Sequence, residues 1–433
     1  MFVLYSIVLG LGLLALAPLL WVRNAPDGRY TRHLGERLGR VSAPPGAGAI
    51  WLHAVSVGET LALERLIGHL KLRFPNRPVV LSVTTATGRS VAERRIDADL
   101  IFYFPLDFRF AVRRSLATIA PALVIITETE IWPNFLRSAA SAGVPVMFLN
   151  GRISGRSYAR YHLVRRLLRP VLAEVNGFLM QTPTDAARIE DLGARAERVS
   201  VAGNLKFDLV PPDQPGFIRW LRAAFARAGI TQVIVAGSTM EGEEAQLLAV
   251  YRRLCAPQRL LLLAPRHPPR FDAVAASLAA SGLPWAKRSR LIAGDGATVP
   301  AGGVLLLDSL GELASAYQLA TLAFVGGTIA PHGGHNLLEP AFWGVPITFG
   351  PHMENFAAIA EQFLNAGAAH QVASTAELER VWRKLLDDPA ERARLGAAAR
   401  NLLASQRGAT ERALAAIAAR LPPQPDGRNF EAP

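Results

Sequence analysis

Ala49-Ile50-Trp51-Leu52-His53-Ala54-Val55-Ser56-Val57-Gly58-Glu59-Thr60 is the stretch on which the fold is decided. Its first half is apolar without alternation, the pattern of a strand covered on both faces, as in a parallel sheet sandwiched between helices. Its second half places Ser56 three residues before Glu59 at the start of a helical pattern, which predicts a capping box. Strand, tight turn and helix N-terminus therefore follow one another directly. Working outward, the same kind of apolar run recurs at 78–85, 100–104, 122–127, 144–150, 177–182 and 199–203. It recurs again at 232–237, 260–264, 304–307, 322–325 and 345–349, with helical patterns between. The fold class is α/β, with two doubly wound, Rossmann-like domains.

The sequence predicts a boundary at Pro211-Pro212-Asp213-Gln214-Pro215, where both periodicities stop. This gives an anchor at 1–22, a first domain at 23–210, a second at 211–420 closed by Ala- and Arg-rich helices, and a tail at 421–433. The anchor follows from the absence of any charge between Met1 and Val22, a length sufficient to cross a bilayer or to lie in its interface. Arg23, Arg29, Arg32, Arg37 and Arg40 follow it and place the rest of the chain on the cytoplasmic side of an inner membrane. A cleavable signal is disfavoured because its basic leading region is missing. One cysteine, Cys255, excludes a disulfide framework and a cysteine-type metal site.

The net charge of +12 is lopsided: residues 1–210 carry 26 Lys/Arg against 16 Asp/Glu, and residues 211–433 carry 21 against 19. The first half is thus built to meet an anion. No nucleic-acid motif accompanies the charge, so a phosphorylated lipid surface is the expected partner and nucleic acid is not. Between Gly151 and Pro170, Arg152, Arg156, Arg160, Arg165, Arg166 and Arg169 stand among Tyr158, Leu163, Val164, Leu167 and Leu168 without one acidic residue. That is the composition of a basic amphipathic helix able to grip lipid phosphates, or of a solvated basic face.

Four segments pair a capping residue with a glutamate three positions on: Ser56/Glu59, Ser238/Glu241, Ser309/Glu312 and Asn336/Glu339. Each is expected as a helix N-terminus aimed into the crevice beyond the strand ends, where anions are favoured. Glu59 stands apart because Gly58 leaves room beside it and a carboxylate there can accept a proton from an alcohol. His53 is either a ligand-facing group or a satisfied core histidine. In the second half, Gly326-Gly327-Thr328 and His332-Gly333-Gly334-His335-Asn336 permit close backbone approach to a phosphate, Glu339 is placed to hold a ribose, and Arg266 ends a strand of the same domain. Asp97-Ala98-Asp99 mimics a metal motif but lies between a helix and a strand, away from these loops.

Five segments together resemble one family. Trp51 to Thr60, Thr127-Glu128-Thr129-Glu130-Ile131-Trp132-Pro133-Asn134, Gly203-Asn204-Leu205-Lys206-Phe207-Asp208, Pro265-Arg266-His267-Pro268 and Gly333-Gly334-His335-Asn336 are similar to the Kdo transferases of lipopolysaccharide synthesis, in that family's order. The resemblance implies a GT-B architecture with a cleft between its domains and an inverting, metal-independent transfer of Kdo (3-deoxy-D-manno-octulosonic acid) from CMP-Kdo to a lipid A precursor. It implies Glu59 as general base, Glu128 and Lys206 as transition-state stabilisers, and CMP contacts from Pro265, Arg266, Gly311, Glu312, Leu313, Asn336, Leu337, Leu338 and Glu339. Arg152, Arg156 and Arg160 fall to the acceptor and membrane side, and no cofactor is implied. The competing readings are a GT-B enzyme using a UDP-sugar on a lipid-linked acceptor, and a noncatalytic lipid-binding relative.

Overall fold

The computed structural model describes residues 5–12, 15, 33–208, 210–211, 214–293 and 298–422. These form two compact units: residues 1–208 with 407–433, and residues 209–406. The first unit holds β1 (Ala49–Ala54), β2 (Val79–Val83), β3 (Leu100–Tyr103), β4 (Pro121–Thr127), β5 (Val146–Gly151), β6 (Gly177–Met180) and β7 (Val199–Val201). They pair in parallel in the order β3-β2-β1-β4-β5-β6-β7. Alternate residues of β1 serve opposite cores. Ala49 and Trp51 pack with Val80, Phe102 and Phe135 on one face, while Ile50, Leu52 and Ala54 pack with Leu66, Leu70 and Leu81 on the other. Burial on both faces is the physical reason for the uninterrupted apolar runs.

The second unit holds β8 (Gln232–Thr239), β9 (Arg259–Pro265), β10 (Trp285–Lys287), β11 (Val304–Leu306), β12 (Leu322–Val325), β13 (Ile347–Phe349) and β14 (Ala369–Gln371). Their order is β10-β11-β9-β8-β12-β13-β14, again all parallel. Strands β10 and β14 were not expected from the sequence. They are three-residue edge strands, only partly buried, and so lack the apolar run that marks the inner ones.

One boundary is corrected. The expected closing helices form as Thr375–Asp387, Pro389–Gln406 and Ala409–Ala418, but the last belongs to the first unit rather than to a second domain extending to 420. Its Ala409, Ala413, Leu414 and Ile417 share the core that also buries Leu63, Leu66, Ile67 and Leu70 of the Val57–Arg73 helix. Among the described residues no helix is long and apolar enough to cross a membrane. Most of the expected anchor lies outside the described residues; within it, 5–12 is helical. Tyr5 hydrogen-bonds Asp107, and Asn134 Nδ2 donates to Ser6 Oγ at 3.0 Å, so this piece is seated on the first unit.

Of the four expected capping boxes, one forms. Ser56 Oγ accepts from Glu59 N, and Glu59 Oε1 accepts from Ser56 N. The other three fail because the helices that follow begin elsewhere. The helix after Ser238 starts at Glu244, Leu313–Ala316 is a short piece with no side-chain cap from Ser309, and ahead of the short Leu338–Phe342 piece Asn336 Oδ1 accepts from Leu338 N at 3.0 Å, two residues on instead of three.

Both sheets reverse direction of winding beside their central strand, between β1 and β4 and between β8 and β12. In the second unit the donors exposed at that switch are already engaged. The fully buried carboxylate of Glu243 accepts from Met240 N (2.9 Å), Gly327 N (2.6 Å), Thr328 N (2.8 Å) and Ile329 N (2.9 Å). Removing the carboxylate strands several buried N–H groups at once, so Glu243→Ala is expected to cost about 3 kcal/mol or more. Urea unfolding of the full chain reads this as a lowered midpoint, and an unchanged midpoint would show that Glu243 does not hold the loop.

Candidate active site

In the first unit the loops after β1 and β4 meet at the switch point, where an open parallel sheet binds its ligands. Glu59 is buried there, in the first turn of the Val57–Arg73 helix. Oε2 accepts from Val55 N at 2.9 Å and contacts Thr127 Oγ1 at 3.0 Å; Oε1 accepts from Ser56 N at 3.2 Å and Ser56 Oγ at 2.7 Å. Gly58 borders open space, since a Cβ there would meet nothing nearer than Ser56 Oγ at 3.9 Å. No side chain crowds Gly58 beside Glu59.

Glu128 follows the last residue of β4 in the left-handed region at φ +56°, a conformation that costs a non-glycine residue about 1 kcal/mol. Its N–H still donates to Leu149 O at 2.8 Å, which holds the turn against β5. Burial pushes the Glu128 carboxyl up, as does the charge of Glu59, while Lys206 and Arg152 draw it down. Glu130 was quoted in the sequence motif without a role. Burial, then Glu59 and Glu128, push it up to about 7. Three carboxylates and the cations Lys206 and Arg152 thus share one end of the sheet. Lys206 sits in the Leu205–Asp208 turn, which is fixed by Leu205 N donating to Asn150 Oδ1 at 3.0 Å.

His53 is the core alternative. It is fully buried, stacks on Phe104 at 3.8 Å, contacts Ser82 Oγ through Nδ1 at 3.0 Å, and is pushed down to about 3 by burial. A ring kept neutral in this way packs the sheet. Asp97 and Asp99 do not form a metal motif either: Lys71 Nζ bridges them at 3.1 and 3.0 Å, and Asp99 Oδ2 accepts from Val79 N.

The expected single basic helix between Gly151 and Pro170 is two helices, Gly155–Leu163 and Arg165–Leu172, broken at Val164. Arg152, Arg156 and Arg160 are exposed, as are Leu163, Val164 and Leu167. Tyr158 and Arg165 instead turn inward to Asp191, at 2.8 and 3.2 Å.

In the second unit, glycines expected to cradle a phosphate have internal work. A Cβ on Gly326 would strike the backbone of Ser238 and Thr239 at about 2.5 Å, and one on Gly333 or Gly334 would strike Asn355 or Met353. The N–H groups of Gly327, Thr328 and Ile329 are taken by Glu243, a residue the sequence reading passed over although its Gly242-Glu243-Glu244 setting follows β8 directly. The phosphate-binding expectation therefore shifts from these amides to side chains. Arg266 is exposed at the end of β9, beyond the buried Pro265, and its charge acts on both His335 and Glu339. Burial, with Arg266, His267 and His332, pushes His335 down to about 4. Glu339 is pushed up by burial and lowered by Asn336 and Arg266. Leu337 and Leu338 are core side chains, so only their backbone can reach a ligand. Gly311 is exposed at φ +85°, Leu313 is partly buried, and the Glu312 carboxylate is committed to Arg288 and Ser309.

Two parallel Rossmann-like sheets, the first with a carboxylate cluster and the second with a cationic one at the strand ends, are similar in architecture to the GT-B glycosyltransferases. The fold matches the solved glycotransferase of kitacinnamycin with a TM-score of 0.54 at 17% identity, covering 87% of this chain and 100% of that one. The family model described as 3-deoxy-D-manno-octulosonic-acid transferase (kdotransferase) matches residues 32–209. The 3-deoxy-D-manno-octulosonic acid transferase of Bordetella pertussis is 40% identical over 94% of this chain and 97% of its own length. That of Haemophilus influenzae is 34% identical over 89% and 91%. The chain belongs to the Kdo transferase family.

The carboxylate cluster has a pH signature. Glu130 titrates at about 7 in the fold against 4.5 in an unfolded chain, so between those values the native state holds the extra proton. Stability then falls as pH rises through that window, by on the order of 2 kcal/mol after allowing for partial exposure. Glu130→Gln is expected to flatten the dependence of urea stability on pH between about 4.5 and 7; an unchanged slope would remove Glu130 from the cluster.

Proposed function

We propose that the chain transfers Kdo from CMP-Kdo to a lipid A precursor of the lipid IVA type, in lipopolysaccharide synthesis. The observation that carries this reading is the grouping of Glu59, Glu128 and Lys206 at the switch point of the first sheet, in a chain whose relatives are named Kdo transferases over nearly its full length. Glu59 takes the proton of an acceptor hydroxyl as that oxygen bonds to the anomeric carbon of Kdo from the face opposite the leaving group. The anomeric C–O bond breaks and its electron pair leaves on the phosphate of CMP, giving inversion. Lys206 offsets charge carried by the departing phosphate and by Glu128, without reorganisation at the moment of reaction. No metal or cofactor enters the scheme. Arg266 pairs with the CMP phosphate, Glu339 and Asn336 meet the ribose, and the backbone of 311–313 and 337–338 borders the nucleotide.

The same proposal locates the protein at the cytoplasmic face of an inner membrane. Exposed Arg152, Arg156 and Arg160 beside exposed Leu163, Val164 and Leu167, together with Ile7, Val8 and Leu11, support it. Exposed cations interleaved with exposed apolar side chains over 152–167 suit phosphorylated lipid.

Incubation with CMP-Kdo or with UDP-sugars and a lipid A precursor, read by mass spectrometry of the lipid, tests the function. Addition of Kdo is expected, and turnover with UDP-sugars alone would overturn the donor. Glu59→Gln keeps the side-chain volume but sets a donor against the N–H of Val55 or Ser56, so it lowers the melting temperature while the fold is kept. Assayed where the variant is folded, it is expected to lower kcat by about 10²- to 10⁴-fold, and wild-type kcat would remove Glu59 from the reaction. Arg266→Ala is expected to weaken CMP binding by about tenfold or more in calorimetry; equal affinity would count against its contact with phosphate.

A further inference from the structure

The chain leaves the first unit at Asp208 and returns to it at Arg407, and one buried side chain fastens both places. Asp208 Oδ1 accepts from Gly408 N at 2.7 Å and Oδ2 from Thr410 N at 2.5 Å. These amides open the Ala409–Ala418 helix, whose own N-cap is Gly408 at φ +91°, with no side chain to offer. The capping oxygen comes instead from 200 residues upstream, as a carboxylate that also favours the positive helix end. Asp208 O in turn accepts from Arg65 Nη1 at 2.8 Å, on the Val57–Arg73 helix that carries Glu59. Arg412 Nε of the C-terminal helix donates to Ala202 O at 2.8 Å, just ahead of the turn.

Lys206 lies two residues before Asp208 in a four-residue 3₁₀ turn. Such a turn has poor hydrogen bonding of its own and takes its place from whatever holds its ends. One end is held by Asn150, the other by Asp208. We infer that Asp208 is a positioning residue for Lys206: docking of the C-terminal helix through its carboxylate fixes where the ammonium stands relative to Glu128 and Glu59. The inference rests on the reading of Lys206 as a catalytic cation. It explains why the sequence spends an aspartate at the last position of the unit, where a cap local to residue 408 would serve helix stability alone.

A double-mutant cycle on the full chain tests it. Asp208→Asn keeps the volume but turns one acceptor into a donor facing an N–H. Thr410→Pro leaves Asp208 charged and removes the N–H instead, at a first-turn position where proline is tolerated. Each variant, with folding checked by its melting temperature, is expected to lower kcat by on the order of tenfold to a hundredfold, with KM for CMP-Kdo within about twofold of wild type. In a Lys206→Ala background neither is expected to lower kcat further. Losses that multiply with Lys206→Ala would assign Asp208 to stability alone and overturn the inference, as would wild-type kcat in either folded variant. Wild-type kcat in Lys206→Ala itself would instead remove the catalytic cation and the inference with it, a result distinct from an inactive Lys206→Ala beside an active Asp208→Asn.

Discussion

A carboxylate buried at the switch point of a parallel sheet must be met by hydrogen-bond donors, or its desolvation costs several kcal/mol. Both units satisfy that constraint, and the rest of each site follows from how they do it. Glu243 collects four backbone amides from the loops after β8 and β12 and closes them against each other. Glu59 collects two amides and two hydroxyls from the loops after β1 and β4. Backbone amides cannot turn away, whereas hydroxyl groups can. The second unit's carboxylate is therefore locked into the scaffold, and the first unit's keeps partners that can rearrange.

Charge crowding gives the first site its chemistry. Glu59 raises the cost of ionising Glu128, Glu59 and Glu128 raise that of Glu130, and Lys206 and Arg152 offset it at Glu128. A substrate that brings further negative charge enters a balance in which cations already stand close. In the second unit cations predominate: Arg266, His267 and His332 act on His335, and Arg266 acts on Glu339.

Much of this was legible in the sequence because inner parallel strands are buried on both faces and write that burial as apolar runs. The edge strands Trp285–Lys287 and Ala369–Gln371 are half covered and wrote nothing comparable. Ser56 to Glu59 announced its cap correctly since a long helix follows, while the same spacing at Ser309 and Asn336 precedes helices of four and five residues. A capping pattern states a local preference, and tertiary packing decides whether a helix begins there. Glu243 and Asp208 were overlooked for a related reason: three of the four amides on Glu243 lie 84 to 86 residues away and the amides on Asp208 lie 200 to 202 away, beyond any local pattern. The expectation that the Ala409–Ala418 helix closes the second domain failed on the same ground, for its apolar face matches a core built from residues of the first unit.

The four contacts on Glu59 also set a condition on its use as a base. Each carboxylate oxygen already has two partners, so a proton from an acceptor can arrive only as one of them yields. The amides of Val55 and Ser56 are fixed by the strand-to-helix turn, and Ser56 Oγ is held by its own bond from Glu59 N. Thr127 differs. Its single hydroxyl proton has a second acceptor, His53 O at 2.6 Å, nearer than Glu59 Oε2 at 3.0 Å. Donation to that carbonyl leaves Oε2 with an open lone pair and costs no hydrogen bond. The fully buried His53 thus contributes through its backbone: its neutral ring packs the sheet, and its carbonyl oxygen is placed where a hydroxyl can turn to release the neighbouring carboxylate.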